Sequence, residues 1–231
     1  MSKTNMYKSI TATWNPLAGQ CSHECSYCYV NNLKKRNKVI NEKYSGELRL
    51  HTPAFKPLGK NKKYFVCSMN DMFQDKCSSD MIKSILEYCT MYPANKYFFQ
   101  TKNTQRAYDY IDQLPTDSVI CTTLETNRKK LINKNTKAPE IFERCIYLSY
   151  IGNQGIKTEL TIEPIMDFDL FDLKYYIAAA NPYIINIGAD SKNNNLPEPR
   201  IEKVEKLISE LKYINNVKVV LKKNLNRKRT F

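Results

Sequence analysis

The feature that most narrows the fold is alternation: short apolar or β-branched runs recur between stretches of helical period along most of the 231 residues. Such alternation is how βα units and a parallel sheet read in sequence. The runs Ser9–Asn15, Tyr64–Met69, Tyr97–Lys102, Ser118–Glu125, Lys157–Glu163 and Tyr183–Ala189 predict six strands, and Val217–Lys222 a seventh. Helices are expected over Ser79–Met91, Thr104–Gln113, Pro139–Arg144, Asp169–Ala180 and Arg200–Ile214. In the first, Ile82, Ile85, Leu86 and Cys89 recur at helical spacing behind a Ser78 or Ser79 cap. In the last, Ile201, Val204, Leu207, Ile208 and Leu211 form an apolar stripe after Pro199. The stretch from Asn31 to Lys63 reads as loop with a short helix. The expected organisation is a single domain over 1–231, with a basic C-terminal tail at about 222–231.

Side chains alternate along a strand, so one face of each strand must meet the helices and the other the interior of a curved sheet. Assigning Leu160, Ile162, Ile185, Ile187 and Ala189 to the helix side leaves Glu159, Thr161, Glu163, Asn186, Gly188 and Asp190 inside. The same parity turns Thr11, Thr13, Asn15, Ser68, Asn70, Gln100, Lys102, Cys121, Thr123 and Glu125 inward, and predicts a polar lumen. An ordinary closed barrel fills its interior with branched apolar groups, so so many hydroxyls, amides and carboxylates call for a polar ligand. Asn70, Lys102, Glu125, Glu163 and Asp190 fall at or just past their strand ends, on the face where such barrels assemble chemistry. Lys102, Glu163 and Asp190 suit either catalysis or an internal ion-pair network.

Eight cysteines and no apolar leader in MSKTNMYKSITATW place the chain in a reducing cytoplasm, where clustered thiols are metal ligands or catalytic groups more often than disulfides. No apolar run approaches the roughly 20 residues that span a bilayer, so no membrane partner is expected. The net charge of +13 gathers around Lys34–Lys38, Lys60–Lys63 and the C-terminus. It fits a polyanionic partner and equally a plain solvated surface.

Residues 21–28 read Cys-Ser-His-Glu-Cys-Ser-Tyr-Cys, three thiols in one loop after the first strand. Thiolates suit Fe–S clusters or zinc. On a four-iron cube three cysteines leave one iron open to a small chelating molecule. The zinc reading enlists Cys21, His23, Cys25 and Cys28, with His23 awkwardly placed between the first two cysteines.

This loop resembles the CxxxCx-aromatic-C motif of the radical S-adenosylmethionine (SAM) enzymes, with Tyr27 at the aromatic position. The resemblance implies an α/β fold, a partial (βα)6 radical SAM-type barrel. It implies a [4Fe–4S] cluster on Cys21, Cys25 and Cys28, SAM on the open iron, and a reductant such as flavodoxin or ferredoxin. Tyr27 would approach the adenine. Ser68, Asn70 and Asp71 would stand where the family's glycine-rich element receives the SAM amine, and Glu125 would meet the SAM ribose or carboxylate. The phrases Thr13-Trp14-Asn15-Pro16, Ser68-Met69-Asn70-Asp71-Met72-Phe73, Gln100-Thr101-Lys102, Glu163-Pro164 and Ile187-Gly188-Ala189-Asp190-Ser191 are similar to a group of small phage-associated radical SAM proteins. That group is itself similar to spore photoproduct lyase, a DNA-repair enzyme, by whose analogy Cys121 would donate hydrogen to a substrate radical. A nucleotide or nucleic acid is the expected substrate class. The alternatives are modification of a peptide or small metabolite, and a basic nucleic-acid-binding protein with a structural metal site.

Overall fold

A computed structural model describes residues 7–214 and 217–228. Seven parallel strands form the main sheet: β1 (Ala12–Trp14), β4 (Lys63–Val66), β5 (Lys96–Gln100), β6 (Ser118–Thr123), β7 (Lys157–Ile162), β8 (Ile184–Ile187) and β9 (Lys218–Leu221), in that spatial order. β1 and β9 are its unpaired edges, so the sheet curves without closing. A two-stranded antiparallel ribbon of β2 (Leu17–Ala18) and β3 (Arg49–Leu50) stands beside it. The predicted seventh strand is present, and the fold is the expected partial barrel.

Helices follow the strands: α3 (Ser79–Thr90) after β4, α4 (Thr104–Tyr108) after β5, α5 (Lys129–Asn135) and α6 (Ile141–Asn153) after β6, α7 (Leu170–Ala180) after β7, and α8 (Ile201–Leu211) after β8. Ser78 caps α3 by accepting the Met81 N–H at 3.3 Å, and Asn103 caps α4 by accepting the Arg106 N–H at 3.1 Å. Two short helices, α1 (Tyr29–Arg36) and α2 (Lys38–Lys43), stand at the start of the stretch expected to be loop with one short helix. The helix expected at Pro139–Arg144 instead begins at Ile141 and continues to Asn153, because Ile141, Cys145, Leu148 and Ile151 present one buried face to the sheet. The helix expected at Thr104–Gln113 breaks after Tyr108 into a 3-10 turn.

The alternation of faces holds through the sheet. Val66, Tyr97, Phe99, Ile120, Leu160, Ile162, Ile185 and Ile187 join the core beneath the helices, while their neighbours turn inward. The interior is not polar throughout, as parity suggested. Tyr7, Ile10, Phe65, Phe98, Val119 and Cys121 pack into a separate apolar cluster inside the sheet. Beside it, Glu159, Thr161 and Asn186 are buried within β7 and β8, and the Asn186 amide donates to Glu159 Oε2 at 3.1 Å, as a buried carboxylate requires.

Lys223–Lys228 form a 3-10 turn, Leu225 is buried, and the Asn224 amide reaches the Ala189 carbonyl at 2.8 Å. Residues 229–231 of the expected tail lie outside the described residues.

Candidate active site

The cysteine loop crosses the mouth of the barrel between the β2 strand and α1, tied down on several sides. Ser22 N–H donates to Gln74 Oε1 at 2.6 Å, Ser26 N–H to the Asn135 carbonyl at 2.8 Å, and Lys137 N–H to the His23 carbonyl at 2.8 Å. Cys28 is the N-cap of α1, and its N–H donates to the Cys25 carbonyl at 3.1 Å. Cys25 is buried against Tyr27 and Met166, whereas Cys21 and Cys28 are half-buried.

All three thiols are free of disulfides. Burial pushes the Cys21 thiol up to about 12, with Asp71 adding to the effect, and burial also raises Cys28. Thiols so placed keep their protons until a metal displaces them. The donor set fits a cluster carried on three cysteines: soft, undisulfided and held on one braced loop. Of the four side chains of the zinc alternative, His23 faces Asp71, with Nε2 2.8 Å from Oδ2.

Asp71 is buried, and both its oxygens are engaged. Oδ2 also accepts from the Thr101 hydroxyl and the Lys102 N–H, each at 2.9 Å, and Oδ1 accepts from the Phe73 N–H at 2.9 Å. Burial alone would raise its pKa, but His23 and the backbone donors hold the carboxyl below the usual carboxylate range. Asp71 therefore braces the rim. Ser68 and Asn70 lie on the same rim, half-buried. The Ser68 hydroxyl donates to Asn15 Oδ1 at 3.1 Å, and the Asn70 amide to the Gly19 carbonyl at 3.0 Å.

Behind the loop, Glu125 lies fully buried at the end of β6. Tyr27 donates its hydroxyl to Oε1, the Arg144 guanidinium reaches Oε2 at 3.1 Å, and the Lys102 ammonium lies 3.5 Å from Oε1. Burial opposes the charge on Glu125, but Arg144 and Lys102 outweigh it and hold the carboxyl low. Lys102 also sits 5.4 Å from the centroid of the Tyr27 ring, and Cys25 and Glu125 hold its pKa up against burial. Tyr27, Lys102 and Glu125 are thus one network touching the cysteine loop. Arg144, among the largest fully buried side chains, escaped the sequence reading; an arginine inside the apolar face of α6 was its only signal.

The remaining candidates fall elsewhere. Cys121 is buried in the lumen with the Tyr7 hydroxyl 3.6 Å from its sulfur, and burial raises its thiol pKa strongly. Tyr7 also donates to Gln100 Oε1 at 3.1 Å, and no motif marked it. Glu163 faces Lys222, with Oε2 3.7 Å from the ammonium. The Asp190 carboxylate is spent on its own loop, accepting from Lys192 N–H at 3.2 Å and from the Asn194 amide at 2.6 Å.

Residues 5–215 match the family described as "Protein of unknown function (DUF5131)". The chain belongs to the DUF5131 family. No curated protein matches the sequence. Among solved structures, this family member shares its fold with spore photoproduct lyase bound to AdoMet and dinucleoside spore photoproduct, at TM-score 0.64 and 11% identity over 90% of this chain and 75% of that one. It also shares its fold with Streptococcus suis SuiB bound to S-adenosylmethionine, at TM-score 0.59 and 9% identity over 94% of this chain and 51% of that one. SuiB has also been solved with its precursor peptide SuiA. At such identities the likeness is one of fold.

Proposed function

We propose that this DUF5131 protein is a radical SAM enzyme acting on a nucleotide or nucleic acid. The observation that carries the reading is the set of three free thiols, on a braced loop across the strand-end mouth of an unclosed parallel barrel. Cys21, Cys25 and Cys28 would hold a [4Fe–4S] cluster. When bound, that cluster supplies the electron that cleaves SAM to a 5′-deoxyadenosyl radical able to take hydrogen from a substrate.

The chain's own residues prepare the mouth for this. Met166 and Tyr27 shield Cys25 from water. Lys102 sets a positive charge beside Cys25 and Cys28, which favours an anionic assembly there. Glu125, held ionised, fixes the Tyr27 ring through its hydroxyl. Ser68 and Asn70 offer rim groups for the SAM amine. Deeper in, the Cys121 thiol stays protonated and keeps a transferable hydrogen beside Tyr7. The nucleic-acid substrate class is supported by the charge of +13 and by the likeness to a fold solved with a dinucleoside ligand; a phage association rests on the sequence phrases alone.

Protein purified anaerobically should be brown, carry about four irons and four sulfides, and release 5′-deoxyadenosine from SAM under dithionite. A colourless protein with stoichiometric zinc and no 5′-deoxyadenosine would overturn the reading. Deuterium passing from labelled nucleotides or DNA into 5′-deoxyadenosine would support the substrate class, and its absence during active SAM cleavage would remove it.

A further inference from the structure

The segment after β9 folds back against the barrel mouth and brings three polar groups into one corner. Lys222 lies with its ammonium 4.1 Å from the Tyr7 ring centroid and 3.7 Å from Glu163 Oε2. Asn224 donates its amide to Glu163 Oε1 at 2.7 Å and to the Ala189 carbonyl at 2.8 Å. Glu163 therefore sits between the other two, with Oε2 towards Lys222 and Oε1 towards Asn224. It leans directly over Gly188, where an added Cβ would come 2.7 Å from its carboxyl carbon.

Among the described residues two buried acceptors in this corner receive no hydrogen bond, Asn224 Oδ1 and Glu163 Oε2, the latter having only the Lys222 ammonium at 3.7 Å. Buried acceptors of this kind are costly unless something donates to them. The side chains of Lys222 and Glu163 are each 12% exposed, while the two acceptor atoms themselves are covered, so a ligand reaches them only by parting the corner. Read across, the corner offers a donor at Lys222, an acceptor at Glu163 Oε2 and a further acceptor at Asn224 Oδ1. Its complement is an acceptor, a donor and a second donor in a row. The lactam edge of guanine has that order, with its carbonyl, ring N–H and amino group.

We propose that Lys222, Glu163 and Asn224 form a base-binding subsite for a guanine-type lactam. The base carbonyl would lie on Lys222, the ring N–H on Glu163 Oε2 and the amino group on Asn224 Oδ1. This rests on the enzyme reading above only for what is then done to the base. Gly188 is a positioning residue, since it gives the Glu163 carboxyl its place.

Isothermal titration calorimetry of the anaerobic, SAM-loaded holoenzyme with nucleosides tests the subsite. Guanosine should bind most tightly. Inosine, lacking the amino donor, should bind about 2- to 12-fold more weakly, the value of one neutral hydrogen bond. 1-Methylguanosine and adenosine, which offer Glu163 no ring N–H, should lose at least about tenfold. Asn224→Ala should abolish the difference between guanosine and inosine, and Gly188→Ala should weaken both alike. The wild-type nucleoside series is decisive even if a variant fails to fold. Equal binding of all four nucleosides, or binding of none, overturns the subsite. Release of 5′-deoxyadenosine, measured separately on the same wild-type preparation, reports on the enzyme reading: its presence without guanosine binding sinks the subsite alone, and guanosine binding without it sinks the enzyme reading alone.

Discussion

Asp71 joins three parts of the chain through one carboxylate: His23 of the cysteine loop, Thr101 and Lys102 after β5, and Phe73 of its own turn. Its pKa is held below that of an unfolded aspartate, which titrates near about 3.9. A carboxyl depressed by folding stabilises fully above its unfolded value, and that contribution is lost as pH falls through the folded value. Thermal melts should therefore show the protein losing stability below about pH 4, and Asp71→Asn should flatten that part of the profile while lowering stability at neutral pH. An unchanged acid slope in Asp71→Asn would assign it to other carboxylates. Lys102 and Glu125 were legible because strand-end position and parity mark them. Arg144 and Tyr7 were not, since each acts from outside the strand pattern, one from a helix face and the other from the segment before β1.

The β2–β3 ribbon leads into the cysteine loop through Gly19. Its φ is +96°, and a Cβ there would meet the Glu47 carbonyl oxygen at 2.2 Å, a contact with backbone that cannot move aside cheaply. The same residue donates its N–H to the Lys43 carbonyl at 2.8 Å and accepts the Asn70 amide at 3.0 Å, tying ribbon, α2 and rim together. Gly19→Ala should cost at least about 2 kcal/mol, read as a lower urea midpoint, and should reduce iron loading per folded protein. A wild-type midpoint would show that the ribbon tolerates another course. The extension of α6 belongs to this scale too. The expected bounds Pro139–Arg144 stop short of Cys145, Leu148 and Ile151, which continue at helical spacing from Ile141.

At the scale of the whole molecule the charge of +13 remains the main statement about partners. Lys35, Arg36 and Lys38 are exposed just beyond the cysteine loop, and Lys60 and Lys62 are exposed ahead of β4. If this surface contacts phosphates, affinity for a single-stranded oligonucleotide should fall with salt, log K against log[salt] having a slope of about −0.7 per contact. Fluorescence anisotropy across a salt series measures it, and a flat profile would leave the charge as solvated surface. Not all of the excess is available. Lys63 lies 3.9 Å from Glu159, and Lys222 faces Glu163 inside the mouth. Among the described residues no helix is long and apolar enough to cross a membrane.

Alternation of strand and helix, the parity of each strand and the cysteine spacing were settled by the sequence itself, since each follows from local periodicity or from neighbours a few residues apart. What only the tertiary structure decided are meetings between distant residues. The apolar filling of the lumen joins Tyr7 to Phe98 and Cys121, the charge on Glu125 depends on Arg144 from α6, and the Glu163 corner depends on Lys222 and Asn224. Such contacts carry no local period. They exist because folding removes buried charges and hydroxyls from water and leaves each needing a partner that only another element can supply.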